Sequence, residues 1–419
     1  MSSEAPQVYL VLPETKPFPI NSLYVHIPFC AGRCSYCDFF SVSARNCPQI
    51  FSLEYESSYV DAVLEQTQLW SEKFDAGPFS TIYIGGGTPS VLNEGVLERL
   101  VKGLEPYAAS GCEWTVEANP ESVHKSLLDM LAETKVTRIS LGVQTLSHDE
   151  WPALQRVGSV EDSKRSIDLV REYPFELSVD VLAGIPQPQG RTEAWQSILL
   201  GSLEYLAERV SHISLYDLTL EEGTPLQRQV ACGALVSPNA DAMAEARDAA
   251  NTLLASRGFQ RYEVSNYARS GHECRHNLAY WNMRPYLGVG SGAVSTIQYC
   301  DPEEEPMLGT MVRITGRKDS ARYIAKPAEI PPEIEYIDRK TALFEFLMMG
   351  FRTARGVDTQ RISSLFGVDV AQIIPSALAR WKPEIVRGRH CIALHTRNFD
   401  ILNRFLVECL EELDKGGLG

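Results

Sequence analysis

Six short runs of β-branched and aliphatic residues recur through the first half of the chain, separated by longer stretches with helical spacing. The runs cover 22–27, 81–85, 113–118, 138–143, 177–182 and 212–218; the helical patterns cover 52–70, 91–104, 122–134, 160–172 and 192–208. Apolar strands joined by crossover-length helices make parallel βαβ units, because only a long crossover returns the chain in the same direction. Six units fall short of the eight that close a (β/α)8 barrel, so the pattern predicts an α/β fold built on a partial (β/α)6 barrel. In such folds the chemistry collects at the C-terminal ends of the strands. Here those ends read, in order, as a cysteine loop, Gly85-Gly-Gly-Thr-Pro89, Glu117-Ala-Asn-Pro120, Gly142-Val-Gln144, Asp180 and Asp217-Leu-Thr219.

Around a barrel at 21–236 the sequence divides into an N-terminal arm (1–20), a barrel extension (237–335) and a smaller C-terminal α+β unit (336–419). The extension opens with a helical stretch at 238–257, and the C-terminal unit pairs helices with a hairpin-like end, as a winged helix does. Lys+Arg 39 against Asp+Glu 54 gives a net charge of −15, which opposes binding to nucleic acid or to an anionic membrane. No apolar run approaches the ~20 residues of a spanning helix. Residues 1–19 lack the basic start of a secretory signal. Ten cysteines in such an acidic chain fit a reducing cytoplasm, where thiols stay available as ligands. Cys112, Cys232, Cys300, Cys391 and Cys409 are scattered and read as packing thiols.

Three cysteines directly after the first strand, Cys30, Cys34 and Cys37, have C-x3-C-x2-C spacing. A structural zinc site closes with four protein ligands, and an iron–sulfur cubane held wholly by protein takes four thiolates. Three thiolates in one loop suit a cubane whose fourth iron stays open to a small chelating ligand. A zinc loop that borrows Cys47, His26 or Asp38 is the competing reading. Gly85-Gly-Gly87 lets backbone approach a ligand without an intervening Cβ, and Thr88 adds a hydroxyl. Glu117, Gln144 and Asp180 can accept hydrogen bonds from hydroxyl and amino groups, while Arg156 can clamp a carboxylate. Each of these residues taken alone is as often a surface or capping group. His272, Cys274 and His276 alternate, so on an extended chain they would share one face, suited to metal or heme ligation or to buried hydrogen bonding beneath the barrel.

The cysteine loop and Gly-Gly-Gly-Thr-Pro resemble the radical S-adenosylmethionine (SAM) superfamily, in which the amino and carboxylate end of SAM completes the cluster. Tyr24-x-His-Ile-Pro-Phe-Cys30, Gly142-Val-Gln-Thr145, Asp180-Val-Leu-Ala-Gly-Ile-Pro186 and Tyr262-Glu-Val-Ser-Asn-Tyr-Ala268 narrow the resemblance to the HemN-like, oxygen-independent coproporphyrinogen oxidase group. True dehydrogenases of that group carry a further cysteine where this chain has Phe39, and a longer N-terminal arm. His276-Asn-Leu-Ala-Tyr-Trp281 instead resembles the HNxxYW signature of the HemW heme chaperones. The resemblance implies a [4Fe–4S] cluster on Cys30, Cys34 and Cys37. It implies SAM contacts at Tyr24, Gly86, Gly87, Thr88, Glu117, Gln144, Arg156 and Asp180, with Thr219 a looser match. It also implies heme as ligand, with His276 as axial ligand and Tyr280 and Trp281 as flat partners for the macrocycle. The function implied is delivery of heme to hemoprotein acceptors such as respiratory cytochromes, membrane-bound ones included, by a chain that admits a homodimer. Oxygen-independent coproporphyrinogen III dehydrogenase is the rival, and a radical SAM methyltransferase is a third reading. Two departures stand out: Gly184-Ile-Pro-Gln-Pro188 replaces the usual Gly-Leu-Pro-Gly-Gln-Thr, and 394–403 lacks the usual turn glycine.

Overall fold

The computed structural model describes residues 13, 15–45, 47–190, 195–327 and 333–415. The proposed N-terminal arm therefore lies largely outside the described residues, as do positions 192–194 of the fifth helical pattern. The six apolar runs form β1 (Ser22–Ile27), β2 (Phe79–Gly86), β3 (Ala108–Ala118), β4 (Arg138–Gln144), β5 (Glu176–Ala183) and β6 (His212–Asp217). They lie side by side in chain order and all run parallel. Further strands extend the sheet. At one edge β7 (Gln260–Arg261) and β8 (Asn266–Ala268) add antiparallel to β6, and at the other β9 (Leu287–Val289) adds parallel to β1. The resulting nine-stranded sheet does not close; β9 and β7 are its edges.

Helices start where a side chain can accept the first orphan N–H groups. α1 (Leu53–Phe74) begins after Ser52, α2 (Glu94–Leu104) after Asn93, α4 (Val160–Val170) after Ser159 and α6 (Ala240–Ser256) after Asn239, each capping residue accepting from a first-turn amide. This shortens two of the expected helices at their starts. Pro89–Val91 is a separate 3-10 turn before Asn93, and α3 (Lys125–Ala132) waits for the His124 ring, whose Nδ1 accepts from Leu127 N–H. α5 (Trp195–Ala207) completes the set.

Period-two alternation sorts the strand side chains. Leu23, Val25 and Ile27, Ile82 and Ile84, Trp114 and Val116, Ile139 and Leu141, and Val179 and Val181 face outward into one continuous apolar core beneath the helices. Inward positions are polar: Thr81, Glu117, Arg138, Ser140, Ser178, Asp180, His212 and Ser214. A (β/α)8 barrel ordinarily fills its interior with branched apolar side chains; this one keeps a polar lumen.

The hairpin β10 (Val294–Cys300) and β11 (Leu308–Thr315), with β12 (Glu333–Ile337), forms a second antiparallel sheet. It serves both cores: Ile297, Val312 and Ile314 join the barrel core, whereas Leu308, Met311 and Ile337 join the C-terminal one. Of the Gly288-Val-Gly-Ser-Gly292 segment, Gly288 and Val289 belong to β9 and the remainder turns towards β10; the packing on the hairpin is so tight that a Cβ at Gly288 would stand 2.0 Å from the Val294 carbonyl oxygen. Gly288→Ala is therefore expected to cost on the order of 3 kcal/mol of stability, because backbone must move to admit one methyl group; thermal denaturation would measure it.

The C-terminal unit collects α8 (Arg339–Gly350), α9 (Thr359–Phe366), α10 (Leu402–Lys415) and a small sheet of β13 (Val357–Asp358), β14 (Ile385–Arg387) and β15 (Cys391–Leu394) in winged-helix fashion. Among the described residues no helix is long and apolar enough to cross a membrane. Of the scattered cysteines, Cys112 and Cys409 are buried, but Cys232 is exposed, its thiol donating to Gln229 O (3.4 Å), so it is not the packing thiol expected.

Candidate functional site

The strand ends enclose a cavity of about 550 Å3. Cys30, Cys34 and Cys37 line one wall, and Gly86, Gly87 and Thr88 the next. Glu117, Gln144, Arg156 and Asp180 complete the circuit, with Thr219 at the exposed rim. The structure thus brings together the three cysteines and every residue singled out for SAM except Tyr24. Tyr24 and the heme candidates His276, Tyr280 and Trp281 are not among those lining the cavity.

The cysteine loop is tied at several points. Phe29–Cys30 pairs with Val42–Ser43, closing the loop on itself. Between Cys34 and Tyr36, Ser35 donates its N–H to Leu154 O (2.9 Å) and its hydroxyl to Ala153 O (2.6 Å). Burial raises all three thiols, Cys34 to about 11, and the Cys37 charge raises Cys30 and Cys34 further. Among the described residues, no three His, Cys, Asp or Glu side chains converge as ligands of a single metal ion. Cubane thiolates each bind a different iron, so three sulfurs that serve a cubane need not converge on one point. His26, a candidate fourth zinc ligand, has both ring nitrogens engaged, Nδ1 with Tyr24 OH (3.0 Å) and Nε2 with Phe40 O (3.0 Å). Burial lowers its pKa to about 4, so the ring is neutral.

The glycine run serves the protein as much as any ligand. Gly86 holds a φ of +112°, donates its N–H to Glu117 Oε2 (3.0 Å), and leaves no room for a Cβ, which would meet the His26 ring at 2.4 Å. At Gly87 a Cβ would press on the Phe29 carbonyl oxygen at 2.7 Å. Thr88 is likewise committed: its hydroxyl donates to Cys30 Sγ (3.6 Å) and accepts from Asn119 Nδ2 (3.2 Å). Asn119 Oδ1 in turn accepts from Arg156 Nη2 (3.2 Å). A hydrogen-bonded chain thus links Arg156, through Asn119 and Thr88, to the first cysteine.

Arg156 fits an anionic ligand. Its side chain is 2 % exposed, and its nearest carboxylate, Glu121, stands 4.0 Å away. Its Nε and Nη1 are buried with no hydrogen-bond partner. Buried donors without acceptors are costly, and a bound carboxylate would supply an acceptor to one of them. Gln155 at φ +48° turns the chain so that Arg156 faces inward, its guanidinium 5.4 Å from the Trp151 ring. Gln144 also adopts a left-handed φ of +68°, at an irregularity between β4 and β5. Such backbone is uncommon for a non-glycine residue and collects at functional sites.

Burial raises Glu117 to about 7, although Tyr83 OH donates to it at 2.7 Å, and raises Asp180 to about 6. Both are acids that ordinarily titrate near 4. Raised values mean that their contribution to stability is full at acid pH and is lost as pH rises through 6 to 7. The ligand-free protein is therefore expected to lose thermal stability between about pH 4.5 and 7, and Glu117→Gln should flatten that slope. An unchanged slope in the variant would contradict the assignment.

The His272–His276 segment is not extended. His276 lies on α7 (Arg275–Trp281), which caps the lower end of the barrel, and Cys274 and Asn277 form part of the cavity floor. His272 leaves in another direction, its Nδ1 meeting Glu176 Oε2 at 2.7 Å. His276 is 1 % exposed, with Nδ1 on Thr81 Oγ1 (2.9 Å), Nε2 on Tyr280 OH (2.9 Å) and its ring 5.1 Å from that of Tyr83. Burial lowers its pKa to about 3. Neither nitrogen is free for a heme iron, which corrects the expectation of an axial ligand here; the ring joins the capping helix to the barrel floor. Tyr24 is likewise occupied, its hydroxyl on His26 and its ring 6.3 Å from Tyr83. Tyr83, Asn119, Ser140, Ser178 and Ser214 line the cavity without having been singled out; their signal is the polar member of each two-residue alternation. The replaced loop after β5 is anchored by Gln187 and Val236, which exchange backbone hydrogen bonds of 3.0 and 2.8 Å.

Residues 24–192 match the Radical SAM superfamily model, and residues 337–382 match the HemN C-terminal domain. The structure resembles that of coproporphyrinogen III oxidase (HemN) from Escherichia coli with a TM-score of 0.73 at 18% identity, over 94% of this chain and 90% of that one. At that identity the likeness speaks for the fold. Heme chaperone HemW from Lactococcus lactis is 30% identical over 402 residues, covering 93% of this chain and 97% of the relative. The chain belongs to the HemW family. The Escherichia coli HemW is 32% identical over 80% of this chain and 83% of its own length. A mouse relative, radical S-adenosyl methionine domain-containing protein 1, mitochondrial, is 34% identical over 65% of this chain and 60% of its own length. HemW kinship thus spans barrel and C-terminal unit alike.

Proposed function

We propose that the chain is a heme chaperone: it binds heme and transfers it to hemoproteins such as respiratory cytochromes, and it carries a [4Fe–4S] cluster together with SAM. The observation that carries this reading is the end-to-end similarity to a HemW protein, 93% of this chain against 97% of that one. Cys30, Cys34 and Cys37 would hold three irons. Arg156 would take the SAM carboxylate on one of its unpartnered donors. Glu117 and Asp180, acids held partly protonated by burial, would ionise against the cationic amino group and accept from ribose hydroxyls. Gln144 and Thr219 would line the remainder. When bound, the cluster and SAM together supply one-electron chemistry. The chain's own part is to hold the ligand carboxylate through the Arg156–Asn119–Thr88–Cys30 hydrogen bonds.

Phe39, 72 % exposed beside Cys37, occupies the position where the dehydrogenases carry their additional cysteine, and this favours delivery of heme over porphyrinogen decarboxylation. A reducing cytoplasm suits three thiols that must remain free, and a homodimer is compatible with the reading. The test gives anaerobically reconstituted protein coproporphyrinogen III, SAM and a reductant, while parallel samples are titrated with hemin. Stoichiometric heme binding without protoporphyrinogen is the expected result. Decarboxylated product with weak heme binding would reassign the chain as a dehydrogenase.

A further inference from the structure

With His276 committed to the barrel floor, the heme reading needs another binding site. A cavity of about 390 Å3 lies beyond the C-terminal end of α7, between the β10–β11 hairpin and α8. Its volume falls within the ~300–1,000 Å3 of ligand pockets. Met283, Met348 and Met349, three of the chain's eight methionines, line it. Tyr280 and Tyr286 line it too, their rings edge to face at 4.5 Å. Thioethers are soft, polarizable groups that adapt to flat aromatic surfaces and ligate heme iron.

Charge sits at the mouth. Arg313 is neutralised by Glu335 (2.9 Å) and Glu345 (2.7 Å). Arg284 is exposed and has no ion-pair partner among the described residues. The groove adjoining this cavity shares Arg284 and Gln298 with it and adds Arg361. Arg361 donates to the Asn282 and Met283 carbonyl oxygens and lies 4.9 Å from the Phe346 ring. It forms no ion pair among the described residues, and burial and Arg284 both weaken its hold on its proton, against the opposing pull of Asp358. Two neighbouring guanidinium groups that form no ion pair repel each other even with Asp358 beside Arg361, and an anionic ligand relieves that repulsion.

We propose that this cavity receives the macrocycle of an iron porphyrin against Tyr280, Tyr286, Met348 and Met349, with Arg284 and Arg361 taking its ionised propionates. The proposal rests on the heme reading above, and the test separates the two. Anaerobically reconstituted full-length protein is titrated with hemin and with hemin dimethyl ester, whose propionates carry no charge. The wild type should prefer hemin by about tenfold or more, the scale of one charge-assisted hydrogen bond. Arg284→Ala, at an exposed position, should reduce that preference several-fold while Arg361 remains. Met349→Trp, which fills the cavity, should weaken hemin binding by about tenfold while the iron–sulfur absorbance per chain stays unchanged. If the wild type binds hemin but both variants bind hemin and ester as it does, the site is elsewhere. A wild type that binds no hemin would overturn the heme reading itself.

Discussion

Alanine at Cys30, Cys34 or Cys37 is expected to abolish the iron–sulfur absorbance of anaerobically reconstituted protein and to leave substoichiometric iron, while the apo chain stays folded. The first expectation follows from count: each thiolate would hold one iron of a cubane, and no fourth cysteine stands in the cavity wall to substitute, since Phe39 occupies the next candidate position and Cys274 lies on the floor. The second follows from how the loop is held. Ser35, through its bonds to Leu154 and Ala153, and the Phe29–Cys30 pairing with Val42–Ser43 use backbone and hydroxyl groups, not thiols. Losing a buried sulfur atom at Cys30 should cost only about 1 kcal/mol. Full iron occupancy in any one variant would remove that cysteine from the ligand set.

Arg156→Ala should lower SAM affinity by roughly tenfold to a hundredfold, the range expected when a charge-assisted hydrogen bond is lost from a buried site. Two of the guanidinium donors are buried without acceptors in the ligand-free chain, so a ligand carboxylate gains a bond that nothing in the protein competes for. Arg156→Lys should recover only part of the loss, because an ammonium cannot reproduce the planar fork. Equilibrium binding of SAM to reconstituted protein measures this, and melting of the apo variants isolates the separate effect of the Asn119 bond. Wild-type SAM affinity in Arg156→Ala would rule out the carboxylate clamp.

The six strands were legible because their apolar faces are long and regular, and the residues at their C-terminal ends meet in one cavity because strand order in the sheet equals strand order in the chain. Three features were not legible, each because a distant group decides a local structure. α7 is hidden in a polar stretch because its first amides are capped by Glu113 of β3, which accepts from Arg275 N–H (3.0 Å) and His276 N–H (2.9 Å). β9 is too short and glycine-rich to announce itself and exists by pairing with β1. The polar lumen is written in residues such as Ser140, Ser178 and Ser214, which read as neutral strand positions until the register places Glu117, Ser140, Ser178 and His212 in one row across four strands. His276 shows the converse. A motif can mark a family while its histidine does structural work.

Heme transfer tests the central claim most directly. Protein loaded with one equivalent of heme is mixed with an apocytochrome, and the heme spectrum of each partner is followed after separation. Delivery is the predicted result: the acceptor acquires its native heme spectrum while the chain keeps its cluster. Heme that stays on the chain, or that leaves no faster than free heme partitions, would contradict a carrier function.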